Sequence, residues 1–414
     1  MTAQQSGRRE TFLPTKTLRR LLQEQPTPFY IYDAAGLRAS CRKVQEAFSW
    51  NDGFSLCFPV RMNPNPKVLE KLAQAGCGAL CGSEAELRLA AAAGLGGKKL
   101  LYAPAAFQES GWSLAKKLGA VQVMDGGHML PPQAPEDVLL SVRPKKGLRL
   151  DGRPVWNMEK CKLGMDEAEL FSMGRRFASA GTKRVGLAIF LRDQESEPER
   201  FCAALDTLFS LAVRMKQELG VAVQRVFVSG GLGAAYRASE QEPDLQEISA
   251  RVRTQYETVL TPSGLQPELT LAPGRLLAAK HGMLVTRVLA VKNQTPPLVL
   301  LDADCAQFLR EVAFGASHRL TAPLVPDGRP RQMVRAAGAL ADLRDHFSGT
   351  FVLPELKAGE CVVICDTGAD GRSFASHYGG SLGCAEFLLE EDGTVRQIRR
   401  RQTAEELAAA YEID

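Results

Sequence analysis

Three short segments of this sequence carry residue types that can capture an anion. Ser55-Leu56-Cys57-Phe58-Pro59-Val60 is a mostly apolar run, and Arg61 follows it directly, ahead of the turn formers Asn63-Pro64-Asn65-Pro66. Ser229-Gly230-Gly231-Leu232-Gly233 closes a second apolar run, and Ala272-Pro273-Gly274-Arg275 closes a third. Glycines let backbone N–H groups close on a phosphate, because no Cβ forbids the left-handed conformations such a nest uses. An arginine adds a planar fork of donors that matches phosphate and carboxylate. Taken singly, a glycine-rich turn is common, and Arg275 reads equally well as a solvated surface residue. Two glycine motifs after adjacent strands are more specific than either alone and imply a phosphate site. Arg61, Arg192 and Arg275 then concentrate positive charge around it.

Such a site needs strands that end together. Apolar runs at 55–60, 79–81, 99–103, 121–124, 138–142, 185–190, 226–229 and 269–272 alternate with amphipathic stretches such as 67–75, 83–93 and 201–219. Eight βα units predict a closed (β/α)8 barrel, whose ligands sit at the carboxyl ends of its strands. Ser83 and Glu86 have the spacing of a capping box. Pro131, Pro132 and Pro135 within residues 126–136 predict that the fourth barrel helix is missing or reduced to a turn. Beyond residue 280 the runs 283–292, 298–303, 361–365 and 384–389 lack helical crossovers and predict an antiparallel β domain. The predicted organisation is an N-terminal segment, 1–34, whose strand at 27–32 joins the β domain. The barrel follows over 35–280 and the β domain over 281–414. Residues 1–27 read as polar and proline-interrupted, with the first ten disordered.

Composition narrows the function classes. In 414 residues, 51 basic side chains nearly balance 47 acidic ones, which gives no footprint for nucleic acid. No apolar run is long enough to span a membrane, and the first residues hold no secretory apolar core, so a cytoplasmic protein is expected. The ten cysteines read as reduced core residues. Cys77 and Cys81 have loose metal-ligand spacing but no second pair, and no metal site is expected. None of the five histidines stands out from a surface or core imidazole.

These segments, taken with others in chain order, resemble the fold-type III pyridoxal-phosphate decarboxylases of the diaminopimelate and ornithine group. Thr27-Pro28-Phe29-Tyr30-Ile31-Tyr32 is similar to the opening T-P-x-Y-x-Y, and Val60 to Pro66 to the cofactor-lysine segment A-V-K-A-N-P-N-P. Cys161-Lys162-Leu163-Gly164 is similar to S-K-F-G, Gly230 to Gly233 to the phosphate loop, and Ala272 to Arg275 to E-P-G-R. Leu309 to Gly315 is similar to I-R-P-A-L-Y-G, Cys365 to Ala369 to the D-A-G-A stretch, and Ser376-His377-Tyr378 to the tyrosine segment near the cofactor phosphate. The resemblance covers residues 27 to about 403. It implies an alanine-racemase-like, pyridoxal-phosphate-binding barrel with a C-terminal antiparallel β domain, in a homodimer or heterodimer with a shared site. It implies cofactor contacts from Gly230, Gly231, Gly233, Gly274, Arg275 and Tyr378. It implies contacts to a small anionic ligand or amino acid from Arg61, Arg275, Arg310 and Asp342.

The same alignment exposes losses. Arg61 stands where the family has the lysine that holds the cofactor, Leu80 where it has an aspartate, and Phe190 where a histidine stacks on the ring. Ala272 replaces the glutamate that pairs the pyridine nitrogen, Ala341 the catalytic cysteine, and Phe314 a substrate-side tyrosine. Capturing an aldehyde needs a neutral amine, and a guanidinium stays protonated. The expectation is a degenerate member that has lost Schiff-base catalysis. It would bind a phosphate-bearing or other anionic ligand, or pyridoxal phosphate without a covalent link, or act as a dimer subunit. Two rivals are an active amino-acid decarboxylase using a displaced lysine, Lys67 or Lys280, and a different enzyme on the same barrel.

Overall fold

The computed structural model describes residues 11–131, 133–192, 198–237 and 239–411. They fall into two compact units. One comprises residues 37–235 and 241–277, and the other the described residues up to Gly36 together with 236–240 and those from 278 onward.

The first unit is a closed barrel of eight parallel strands. In chain order these are Ser55–Pro59, Gly78–Cys81, Leu100–Tyr102, Val121–Met124, Asp137–Ser141, Arg184–Phe190, Val223–Ser229 and Glu268–Ala272, and each pairs with the next. The ring closes where Thr270 and Leu271 of the eighth strand pair with Ser55 and Leu56 of the first. The predicted barrel is therefore present, with all eight strands within a few residues of the runs that announced them. Pro66 occupies the first turn of helix Pro66–Gln74, and the Asn65 side chain accepts the Lys67 N–H at 3.0 Å. The Ser83 hydroxyl accepts the Glu86 N–H at 3.2 Å, but Glu86 reaches back to Gly82 N at 2.6 Å rather than to Ser83, so the expected capping box is only half formed. After the fourth strand only the short turn Gly127–Met129 forms. Pro131 and Pro135 deny a helix its donors there, and Pro132 lies outside the described residues. A hairpin of Leu148–Leu150 with Arg153–Trp156, not foreseen from the sequence, follows the fifth strand.

Period-two alternation turns Cys57, Leu80, Leu101, Val121, Val123, Leu139, Ala188, Phe227 and Ala272 into one apolar cluster, with Ala103 and Phe190 packed on it. At the opposite, amino ends of the strands the side chains are charged. Glu268 accepts from Arg184 at 2.8 Å and from the buried Arg225 at 3.1 Å, and Arg184 lies 3.4 Å from Asp137. Burial acts to raise the Glu268 carboxyl, but the two guanidiniums outweigh it and hold it below the usual range. This ion network starts the fifth to eighth strands, on the face that serves stability rather than catalysis.

The second unit is a mostly antiparallel sheet. Its order is His346–Pro354, Arg331–Ala337, Leu298–Leu301, Gly282–Lys292, Phe29–Asp33, Ala385–Leu389, Val395–Arg399, with Cys361–Cys365 also paired to Gly282–Lys292. Two neighbours are parallel: Phe29–Asp33 with Ala385–Leu389, and Leu298–Leu301 with Arg331–Ala337. The strand Phe29–Asp33 thus lies inside the sheet, between Gly282–Lys292 and Ala385–Leu389. Within residues 1–27, read as polar and proline-interrupted, the helix Thr15–Glu24 forms. Leu18, Leu21 and Leu22 recur on one face and join Phe29, Ile31, Met283 and Val363 in a buried cluster, so burial of that stripe overrides the polar majority. The expected disorder of the first ten residues lies outside the described residues.

Candidate functional site

Barrel order makes the seventh, eighth and first strands neighbours. Adjacent strands lie about 4.8 Å apart. The glycine loop, Gly274-Arg275 and Arg61 therefore leave three consecutive strand ends. Gly230 and Gly231 have φ of +77° and +80°, which other residues adopt only with strain. A Cβ on Gly231 would also lie 2.6 Å from Leu191 Cδ1. The Gly230 N–H donates to Ala272 O at 3.1 Å and the Gly231 N–H to Arg192 O at 3.3 Å. The loop is thus stitched to the eighth strand and to the exit of the sixth. Its first two amides are spent and the Ala235 N–H donates to Glu242 at 3.3 Å, so the amides of Leu232, Gly233 and Ala234 between them are those placed to meet an anion.

Arg61 projects from the single turn Val60–Met62, which closes with Asn63 N–H on Val60 O at 3.1 Å. The Asn63 side chain then accepts Asn65 N–H at 3.3 Å, so the Asn-Pro-Asn-Pro run is two successive side-chain turns leading into a helix. Gly274 packs against this turn: a Cβ there would lie 2.8 Å from Met62 Cγ and 3.1 Å from Pro59 Cδ. Arg61 is exposed and Arg275 half-buried. Burial pushes the Glu86 carboxyl up, and the Gly82 N–H and the charge of Arg61 oppose it, which places Arg61 within electrostatic reach of Glu86.

Below this rim the residues that the resemblance sets at the family's polar positions meet. Ala272 is 0% exposed, and it shares the apolar cluster with Leu80. Phe190 stays partly open, with its ring edge-on to Phe227 at 5.9 Å between centroids. These residues fit only part of pyridoxal phosphate. The glycine loop and Arg275 fit its phosphate. The ring and aldehyde sides do not fit, because the positions that the resemblance assigns to the ring hold an alanine, a leucine and a phenylalanine, and the position it assigns to the amine holds a guanidinium. The candidate replacement lysines are both engaged elsewhere. Lys67 pairs with Glu70 at 2.8 Å on the helix surface, and Lys280, in the second unit, lies 3.4 Å from Asp366 and over the Tyr236 ring.

In the second unit Arg310 is only 1% exposed. Its guanidinium hydrogen-bonds His318 Nε2, lies 4.2 Å over the Tyr236 ring and 4.0 Å from Asp370. Arginine only donates, so Nε2 accepts, and Nδ1 donates to Cys365 O at 3.0 Å. His318 is therefore a neutral imidazole. The next residue, Glu311, accepts the N–H groups of His318 at 3.1 Å and Ser348 at 2.6 Å, and burial pushes its carboxyl up to about 7. Phe314, at the tyrosine position, is exposed and 5.1 Å from Phe374.

Ala341 is exposed beside a cluster that sequence reading found only in part. Asp342 takes Arg344 Nε and Nη2 at 3.1 and 3.0 Å and hydrogen-bonds the Tyr378 hydroxyl, to which Arg344 also donates at 2.8 Å. These donors hold the Asp342 carboxyl far below its ordinary range, and the carboxylate pushes the Tyr378 phenol up. Asp342 and Tyr378 were expected to meet ligand and cofactor, but here they hold each other. The buried Asp345 shapes the loop, accepting Cys305 and Leu340 N–H, both at 2.7 Å. Tyr236, His318, Glu311, Asp370 and Asp345 carried no sequence signal beyond ordinary core or loop composition.

The sequence profile of the pyridoxal binding domain of pyridoxal-dependent decarboxylases matches residues 34–279. Protein TabA of Pseudomonas amygdali pv. tabaci is 31% identical over 385 residues, covering 92% of this chain and 90% of TabA. The diaminopimelate decarboxylase of Methanothermobacter thermautotrophicus is 27% identical over 400 residues, covering 95% and 93%. Among solved structures, diaminopimelate decarboxylase from Helicobacter pylori complexed with L-lysine superposes with a TM-score of 0.83 at 23% identity, covering 95% of this chain and 98% of that one. The M. jannaschii enzyme in co-complex with L-lysine gives 0.86 at 21% identity, covering 96% and 95%.

Proposed function

This chain belongs to the pyridoxal-dependent decarboxylase family, in its diaminopimelate-decarboxylase-like group, and we propose that it keeps the family's anion-binding barrel without its Schiff-base chemistry. The observation that carries the reading is the ligand end of the barrel, where Arg61 stands at the rim of an apolar floor of Leu80, Phe190 and Ala272. Pyridoxal phosphate supplies an electron sink when an acidic side chain holds its ring nitrogen and an amine captures its aldehyde. This barrel offers neither group at the family positions. Groups that act as a unit lose most of the rate when one member goes, and here several are gone together.

What the residues can do is bind. The glycine loop receives a phosphate, and Arg61, Arg192 and Arg275 add a positive rim that draws anions in. An amino-acid-like or phosphate-bearing small molecule is the proposed ligand. A dimer, with itself or with an active relative, is the proposed assembly, supported by the exposed Phe314, Leu343 and Tyr378 of the second unit. The proposed location is the cytoplasm. Among the described residues no helix is long and apolar enough to cross a membrane.

The test is chemical trapping. The protein is incubated with pyridoxal phosphate, treated with borohydride and digested, and its lysines are weighed by mass spectrometry. In parallel, carbon dioxide release is followed from meso-diaminopimelate, ornithine, arginine and lysine. No lysine adduct and no release above background are expected. An adduct on Lys67 or Lys280 together with turnover would establish the displaced-lysine enzyme instead.

A further inference from the structure

We infer that the ligand end of the barrel selects a phosphate monoester whose body is flat, apolar and uncharged, and discriminates against one bearing a basic ring nitrogen. The inference rests on the anion-binding reading above and adds what the phosphate carries.

The two halves of the site differ in chemistry. The upper half is built from Gly230 and Gly231, with their positive φ, and from Gly274, packed too closely on Pro59 and Met62 to bear a side chain. Backbone amides and the guanidiniums of Arg61, Arg192 and Arg275 dominate there. The lower half has the partly open Ala103 and Phe190 above the buried Leu80 and Ala272, four side chains without a polar atom, while Asp125 and Ser141 stand at the ends of the fourth and fifth strands, on the far side of the ring of strands from Ala272. A ring lying against Ala272 and Phe190 leaves water and receives no hydrogen bond in return. For a benzene ring that transfer is favourable, and the partly open Phe190 ring adds an aromatic partner. For a pyridine ring the nitrogen gives up its bond to water without replacement. Protonating that nitrogen makes matters worse, because an unpaired cation is then desolvated beneath a rim of arginines. Glu86, within electrostatic reach of Arg61, is committed to the Gly82 N–H at 2.6 Å, Asp125 accepts the Gly164 N–H at 2.5 Å, and both lie outside the apolar cluster.

Calorimetry on the full chain at neutral pH, with benzyl phosphate and pyridin-3-ylmethyl phosphate, isolates this one ring atom. Neither probe has an aldehyde, so the result does not depend on any lysine. Benzyl phosphate should bind about ten-fold more tightly, the scale of one unmade hydrogen bond to a buried polar group, and inorganic phosphate should compete with it. Ala272→Glu, checked for folding by circular dichroism, should reverse the order by pairing the pyridinium. Equal binding, tighter binding of the pyridine probe, or no binding of benzyl phosphate overturns the inference, as does a folded Ala272→Glu protein with unchanged preference. The two readings fail separately. A lysine adduct with pyridoxal phosphate sinks the loss of Schiff-base chemistry whatever the ranking, and a reversed ranking sinks this inference whatever the trapping shows.

Discussion

Gly274 lies against Met62 so closely that an added methyl group would sit 2.8 Å from Met62 Cγ. The exit of the eighth strand and the turn that carries Arg61 are therefore one packed piece, and neither can shift without the other. Gly274→Ala should push the Arg61 turn outward, costing about 1–3 kcal/mol of stability as overpacking does. It should also weaken benzyl phosphate binding. Urea unfolding and calorimetry check both effects. A variant of unchanged stability and affinity would show that the two segments move independently.

Restoring the amine alone should not restore the enzyme. Arg61→Lys leaves Ala272 and Ala341 in place, so carbon dioxide release from meso-diaminopimelate is expected to stay at background. Robust turnover in that single variant would mean that the apolar floor tolerates the chemistry.

Arg310 should behave as a structural cation. Arg310→Ala strips a partner from the buried His318 and Asp370 and should cost about 3–5 kcal/mol, as removing one member of a buried ion pair does. Affinity for benzyl phosphate in the remaining folded protein should change little. Full stability with lost ligand binding would return Arg310 to the substrate contacts.

Glu311 sets a pH dependence with a definite sign. Its carboxyl is raised to about 7 in the folded state from a reference of 4.5, so the folded form holds the proton more tightly than the unfolded form does. Its contribution is full below the reference value, falls as pH rises toward 7 and levels off above it. Glu311→Gln cannot accept from both His318 and Ser348 N–H and should lose about 1–3 kcal/mol. The gap to the parent should be wider at pH 5 than at pH 8 in urea melts. A gap independent of pH would place the titration elsewhere.

Much of the barrel was legible because each strand is a short apolar run stopped by turn formers, and period-two burial on a closed sheet leaves little alternative. Arg61 and Ala272 could be set against the family motifs for a related reason, since flanking prolines and glycines fix their register. The strands Arg331–Ala337, His346–Pro354 and Val395–Arg399 escaped notice because one face of each meets solvent and carries arginine, glutamine or serine among its apolar residues. Nothing in Leu309 to Gly315 announces that His318, Asp370 and Tyr236 enclose Arg310. Asp342 and Tyr378 stand 36 residues apart, and no local pattern shows that they bond to each other.

Tyr32 donates to Glu386 Oε2 at 3.0 Å across 354 residues of chain, from a strand that sits inside its sheet. Closing a loop of that length costs about 5 kcal/mol of chain entropy before any ladder bond forms. During synthesis the strand Phe29–Asp33 waits until Ala385–Leu389 is made. If residues before 34 were removed, Gly282–Lys292 and Ala385–Leu389 would face a strand-wide gap with two unpaired edges. A nascent or truncated chain would therefore offer, at that gap, a docking place for the equivalent strand of another copy.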